Sequence, residues 1–470
     1  MGLRSVDTNV MEVLSNVLPD DTLRPVAPRY LEEQRGLFNG QGGVLALPRA
    51  TRDVSKLLET ASHLKVPVVP YGGGTGLVGG QVMPNGPIPI LLSMERMSAI
   101  RNIFPAENVV VAEAGAILAD VQTAAQSVDR LFPLSLASEG SCQIGGNLAT
   151  NAGGLNVLRY GNARDLCLGL EVVLPDGRIW NGLTRLRKDN TGYDLRNLLI
   201  GSEGTLGVIT AAALRLFAQP SRRGTAMIAV ASPAAAIELL SMARAQLGEM
   251  VSAFELIHGQ GLRFIEEAKL DARQPFAPIP DWSVLIELGL PSALDPEEEL
   301  MALFSKSSER GLALDGVIAQ SEKQRRDLWD IREQIPQANK RIGSVSSHDI
   351  SIPISEIPTF INRAGKELSK LGDLRINGFG HLGDGNLHYN VFPAAGRDKA
   401  EYANVKSEVK EIVYGLTTEM GGSISAEHGI GRLKSEELVR YGDPVRIAAM
   451  HAVKKALDPL GIMNPGAVLK

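Results

Sequence analysis

Cysteine is nearly absent from this chain, with two, Cys142 and Cys167, among 470 residues. Two thiols cannot build a disulfide framework or a four-cysteine metal site, so they read as buried thiols of a reducing compartment. Aromatic residues are scarce at 5%, and there are only seven histidines. No run approaches the roughly 18 apolar residues that a membrane-crossing helix needs. The N-terminal MGLRSVDTNVMEVLSNVLP alternates polar and apolar residues and lacks the unbroken apolar centre of a secretory signal. Val6 stands where a myristoylated start carries Ser or Thr. A net charge of −5 gives no electrostatic case for nucleic acid or an anionic membrane. These absences lead to the expectation of a soluble, cytoplasmic protein. An anionic substrate would need a local basic pocket.

The length and the 44% of hydrophobic residues are those of a globular chain with two or three domains. The stretch that organises it is NGFGHLGDGNLHYN, Asn377 to Asn390, with His381 and His388 on either side of Gly383-Asp384-Gly385. Seven positions apart, two imidazoles on a straight strand point to opposite faces. A chain that doubles back at those glycines brings both rings to one point. Glu427, in SISAEHGIG, offers a third ligand. Two histidines and a carboxylate leave coordination positions open, which suits a catalytic metal rather than a structural one. The competing reading is a hydrogen-bonded histidine pair.

From about residue 44 the pattern alternates. VLALPRA reads as a strand and TRDVSKLLETASHLKV as an amphipathic helix with Thr51 as its N-cap. PVVPYGGGTGL reads as a strand entering a glycine loop, Gly72-Gly73-Gly74-Thr75-Gly76, whose backbone N–H groups can reach a diphosphate. Its spacing is read as differing from GxGxxG and no helix pattern follows closely, so it is not read as a Rossmann fingerprint, and an ordinary tight turn competes. A second cluster, GSCQIGGNLATNAGG from Gly140, carries Ser141, Asn147, Thr150 and Asn151, whose hydroxyls and amides suit phosphate or ribitol oxygens. A third, IGSEGTLGVIT from Ile200, sets glycines among Ser202, Glu203 and Thr205. Three such loops point to one extended cofactor held by backbone amides.

These loops in this order, followed by HLGDGNLH, AEHGIG and a closing MNPG, resemble the vanillyl-alcohol oxidase and para-cresol methylhydroxylase flavoprotein superfamily. Within it they resemble the FAD-linked D-2-hydroxyacid dehydrogenases: the branch of D-2-hydroxyglutarate dehydrogenase, D-lactate dehydrogenase and the glycolate oxidase flavin subunit. The resemblance implies an α+β chain. An N-terminal helix and arm over 1–44 precede a two-subdomain FAD-binding domain of the para-cresol methylhydroxylase type over 45–219. An α+β substrate or cap domain follows over 220–425, and a C-terminal segment, 426–470, returns to the FAD domain.

On the same resemblance, FAD lies along Pro70, Gly72, Gly73, Gly74, Thr75, Gly76 and Leu77. It continues past Gly140, Ser141, Gly145, Gly146, Asn147, Thr150 and Asn151, and meets Glu203, Gly204, Gly207, Ile209 and Asn464. The first two loops contain no histidine, so non-covalent FAD is expected. His381, His388 and Glu427 become the ligands of a divalent metal, zinc first, with manganese or iron allowed. His428 becomes the general base, and Arg332, Asn390 and His428 the substrate contacts. By residue type alone, Arg332 in WDIREQIPQANKR reads as a helix-surface arginine paired with Asp330 or Glu333.

Two positions depart from the hydroxyglutarate pattern, with Pro336 and Ser347 standing where that pattern has threonine and lysine. Lys340, Arg341 and His348 are the nearby groups to take over, and a D-lactate-class substrate competes. The implied acceptor is an electron-transfer flavoprotein or a quinone, and the implied assembly a homodimer. The alternative function is a flavin-binding electron-transfer or regulatory subunit without its own turnover.

Overall fold

The computed structural model describes residues 2–470, which form two compact units. The first takes the chain up to Gly153, then Gly161–Gln219 and Glu427–Lys470; the second takes Gly154–Tyr160 and Pro220–Ala426.

In the first unit, short buried strands Val44–Ala46, Ile90–Ser93 and Val68–Tyr71 lie side by side in parallel. Parallel strands of one sheet need crossover connections, and the helix Thr51–Leu64 makes the one from Val44–Ala46 over Ile90–Ser93 to Val68–Tyr71, burying Val54, Leu57, Leu58 and Ala61 at helical spacing. Thr51 is not the N-cap. Ala50 occupies that place, and the Thr51 hydroxyl instead donates to Glu171 Oε1 at 2.6 Å. A buried carboxylate on a strand needs donors, and Thr51, Thr210 and Arg101 all converge on Glu171. That residue belongs to a five-stranded antiparallel sheet ordered Ile100–Phe104, Val109–Glu113, Val208–Arg215, Cys167–Val173 and Ile179–Gly182. The C-terminal segment joins this unit at Val68, which bridges to Met463 and whose carbonyl accepts the Asn464 N–H.

The second unit is one seven-stranded sheet. Its spatial order is Ala313–Ile318, Arg222–Val230, Trp282–Leu290, Val251–His258, Leu374–His381, Asn386–Pro393 and Ser346–Ser351. All its pairs are antiparallel. The helix Glu322–Ile342, opened by a Ser321 cap, buries Leu328, Ile331 and Ile335 against Phe264, Phe379 and Phe392. Pro336 sits inside this helix, and its ring faces out of the core.

Candidate active site

The glycine segments of the first unit are pressed together by their lack of side chains. A Cβ on Gly73 would stand 2.2 Å from the Ser141 carbonyl oxygen and 2.9 Å from Cys142 Cα. One on Gly145 would stand 2.7 Å from Ala114 Cβ. Between them opens a cavity lined by Pro70, Gly72 to Gly76, Gly145, Gly146, Asn147, Thr150, Glu203, Gly204, Gly207 and Ile209. His428 is also on its wall, together with Gln143, Gln81, Met94 and Ala114. Gln143 is buried, and its Oε1 has no hydrogen-bond partner among the described residues. That oxygen lies 3.9 Å from where a Gly72 Cβ would be. A side-chain-free cradle with an orphaned acceptor fits a hydroxyl-bearing dinucleotide such as FAD.

Gly74, Gly76 and Gly79 do carry the spacing of the dinucleotide fingerprint. Residues 72–89 nevertheless contain only turns, bends and coil, so no helix N-terminus follows the loop as in a Rossmann site.

Leu77, Gly140, Ser141, Asn151 and Asn464 are off the cavity wall. Ser141 is exposed, with its hydroxyl 3.4 Å from the Ser138 carbonyl. Asn151 has a left-handed φ of 51° and accepts the Arg164 N–H. Glu203 serves the chain itself: its two carboxylate oxygens accept the N–H groups of Ile430 and Gly431, each at 2.7 Å. Burial pushes its carboxyl up, against the pull of those donors. Asn464 Nδ2 donates to the carbonyls of Gly80 and Glu203, and Arg432 donates to Asn464 Oδ1. These bonds fasten the segment behind His428 to the cradle. Glu427 and His428 extend from it with side chains 4.0 Å apart.

In the second unit, the turn at Leu382–Gly385 folds the two histidine-bearing strands into a hairpin. Gly385 has φ of +86°, and any Cβ there would meet the Ile352 carbonyl at 2.4 Å. Pairing sets His388 opposite Phe379, two residues before His381, and the imidazole centroids are 5.6 Å apart. A ring nitrogen of each lies within 4.8 Å of one on the other. His381 Nδ1 is 2.7 Å from Glu255 Oε1, and His388 Nδ1 is 3.7 Å from Asp349 Oδ1. A hydrogen bond at Nδ1 of a histidine turns its Nε2 outward as a ligand atom, and His381 has that bond. This donor set fits a divalent cation of the zinc type.

Arg332 is not a surface residue. It is 5% exposed, its Nε donates to Glu255 Oε2 at 2.9 Å, and its guanidinium lies 4.8 Å over the Phe379 ring. Glu255 and Asp349 go unremarked in the sequence because nothing local marks them; only register brings them to the imidazoles. Asn390 is buried, and its Oδ1 accepts the His348 N–H at 3.3 Å. The His348 ring stacks edge-on against Tyr414, on the opposite sheet face from Asp349 by strand alternation. It therefore does not stand in for the departed lysine. Ser347 is exposed and shares a hydrogen bond with Ser344, and Arg341 donates to the Ala268 carbonyl.

A two-unit α+β chain whose first unit holds a glycine-walled dinucleotide cradle defines a flavoprotein oxidoreductase. Residues 43–182 match the family described as FAD binding domain, and residues 219–468 match FAD linked oxidases, C-terminal domain. The chain is 39% identical over 435 residues to D-2-hydroxyglutarate dehydrogenase, mitochondrial, of Arabidopsis thaliana, covering 92% of this chain and 76% of that one. It is 37% identical to the D-2-hydroxyglutarate dehydrogenase of Xanthomonas citri, covering 91% and 89%. The solved structure of p-cresol methylhydroxylase with substrate bound aligns with a TM-score of 0.76 over 100% of this chain and 98% of that one; at 15% identity this is a likeness of fold. The chain belongs to the FAD-linked oxidases, in the branch of the D-2-hydroxyacid dehydrogenases. No described helix is long and apolar enough to cross a membrane.

Proposed function

We propose that this FAD enzyme oxidises a D-2-hydroxy acid to its 2-oxo acid, with D-2-hydroxyglutarate, the compound in its relatives' names, as the leading substrate. The observation that carries the reading is His428 on the wall of the flavin cavity, because the base must reach the hydroxyl of a carbon that also faces the flavin. Bound FAD supplies a two-electron acceptor for the hydride at N5. A divalent cation, zinc first and manganese or iron on the same ligands, supplies Lewis acidity at the substrate hydroxyl.

His381 and His388 would hold the cation through ring nitrogens. Glu427 adds a carboxylate; it follows Ala426, whose N–H is 3.3 Å from the Asp349 carbonyl. Arg332 takes a substrate carboxylate in a fork, a task its planar guanidinium suits. Asn390, two residues beyond His388 on one strand face, orients the same substrate. His428 accepts the hydroxyl proton.

FAD is held non-covalently, and an electron-transfer flavoprotein or a quinone accepts the electrons. The two buried thiols support a cytoplasmic setting, and a homodimer rests on the resemblance alone.

The test is anaerobic bleaching of the visible flavin band by D- and L-2-hydroxy acids, with and without a chelator. D-2-hydroxyglutarate should bleach it faster than D-lactate, with L-acids inert, and chelation should stop the reaction until zinc is restored. Colourless protein after FAD is supplied, or yellow protein bleached by no D-acid, overturns the proposal. The second outcome would favour the subunit without turnover.

A further inference from the structure

Glu255 is the charge in the run SAFELI of the strand Val251–His258, where every residue up to Ile257 is buried, and it is itself 0% exposed. A carboxylate in that position costs several kcal/mol of desolvation unless it is well paired, and an apolar residue would suit a central strand better. Its two oxygens are divided between two functional groups. Oε1 lies 2.7 Å from His381 Nδ1, on the residue paired with Glu255 across the sheet, and Oε2 takes the Nε–H of Arg332 at 2.9 Å. Phe379, on the same strand as His381, lies under the guanidinium.

We infer that Glu255 is a positioning residue that sets the His381 tautomer and the Arg332 guanidinium plane together. The inference rests on the functional reading above. Accepting the Nδ1–H leaves the Nε2 lone pair of His381 as the ligand. Holding Arg332 by Nε leaves Nη1 and Nη2, which have no other partner among the described residues, for an incoming carboxylate. One buried side chain thus couples the cation site to the substrate clamp, so a single substitution should move both.

Glu255→Gln keeps the shape but offers one acceptor where two donors converge, so one of the two partners is lost. In the FAD-loaded full-length enzyme, zinc affinity measured by chelator competition should fall about 10- to 100-fold. KM for D-2-hydroxyglutarate should rise at least about tenfold, while flavin stoichiometry and the visible spectrum stay at wild-type values. A folded Glu255→Gln enzyme with zinc affinity and KM both within twofold of wild type overturns the inference.

A second measurement needs no variant, metal or turnover. In zinc-stripped wild-type protein labelled with 15N-histidine, the His381 resonances, assigned by their loss in His381→Gln, should report a protonated Nδ1 and an unprotonated Nε2. The opposite tautomer overturns the inference even if the dehydrogenase reading stands. Wild-type protein with the expected tautomer but no bleaching supports the inference about Glu255 and counts against that reading.

Discussion

Replacing Glu203 with glutamine should detach the segment behind His428 without unfolding either unit. The carboxylate accepts the Ile430 and Gly431 N–H groups, each at 2.7 Å, in a buried setting. Hydrogen bonds to a charged group contribute about 1.5–3 kcal/mol each. Glutamine retains one acceptor and turns its NH2 toward the other donor, so one bond is lost and a buried N–H is left unsatisfied. Volume is unchanged, which excludes a cavity cost. The expected loss is about 2–3 kcal/mol, concentrated at the contact that sets the reach of His428. At 1.4 kcal/mol per factor of ten, this is roughly 30- to 140-fold. The assay is kcat/KM with the best D-2-hydroxy acid, accompanied by limited proteolysis of residues 425–434. Turnover should drop by about that factor while the segment becomes protease-sensitive. A Glu203→Gln enzyme within threefold of wild type in kcat/KM, with the segment still resistant, would refute the reasoning.

His428→Ala should leave yellow, folded protein and reduce turnover at least about a hundredfold; near-normal turnover would remove it as the base. Gly73→Ala forces a methyl against the Ser141 carbonyl, where backbone must shift, so it should cost about 1–3 kcal/mol and release flavin; an unchanged flavin-to-protein ratio contradicts this. His258, stacked on Trp282, is held down to about 4 by burial and then by Arg263. Its folded value lies below the 6.5 of the free side chain, so unfolded chains bind more protons between these limits. Stability should therefore fall by up to about 3 kcal/mol as pH drops from 6.5 to 4, measured by denaturant midpoints, and His258→Gln should flatten that slope. Burial raises the Cys142 thiol and pushes Cys167 to about 12, so thiol reagents should label Cys167 only on unfolding; rapid native labelling of Cys167 would be the contrary result.

The amino-acid order by itself marked the glycine segments and the histidine hairpin, because glycine's freedom and the two-residue strand period are local properties. It likewise marked Thr51–Leu64 as a helix through the spacing of Val54, Leu57, Leu58 and Ala61, although the hydroxyl of Thr51, the cap it pointed to, is taken by a distant carboxylate at Glu171 and Ala50 holds the cap position. What only the tertiary structure decided was partnership. Arg332 reads as a surface arginine among its neighbours, yet cross-strand register pairs Glu255 with His381 while the packing of the helix Glu322–Ile342 brings Arg332 to the same carboxylate. Asp349 reaches His388, and His348 turns away toward Tyr414, for the same reason. Glu203 lies in a glycine loop on the cavity wall, and the returning chain also takes its carboxylate. Backbone conformation is set within a few residues, whereas a buried charge is satisfied by whichever strand the topology places beside it, and that neighbour is far away in the sequence.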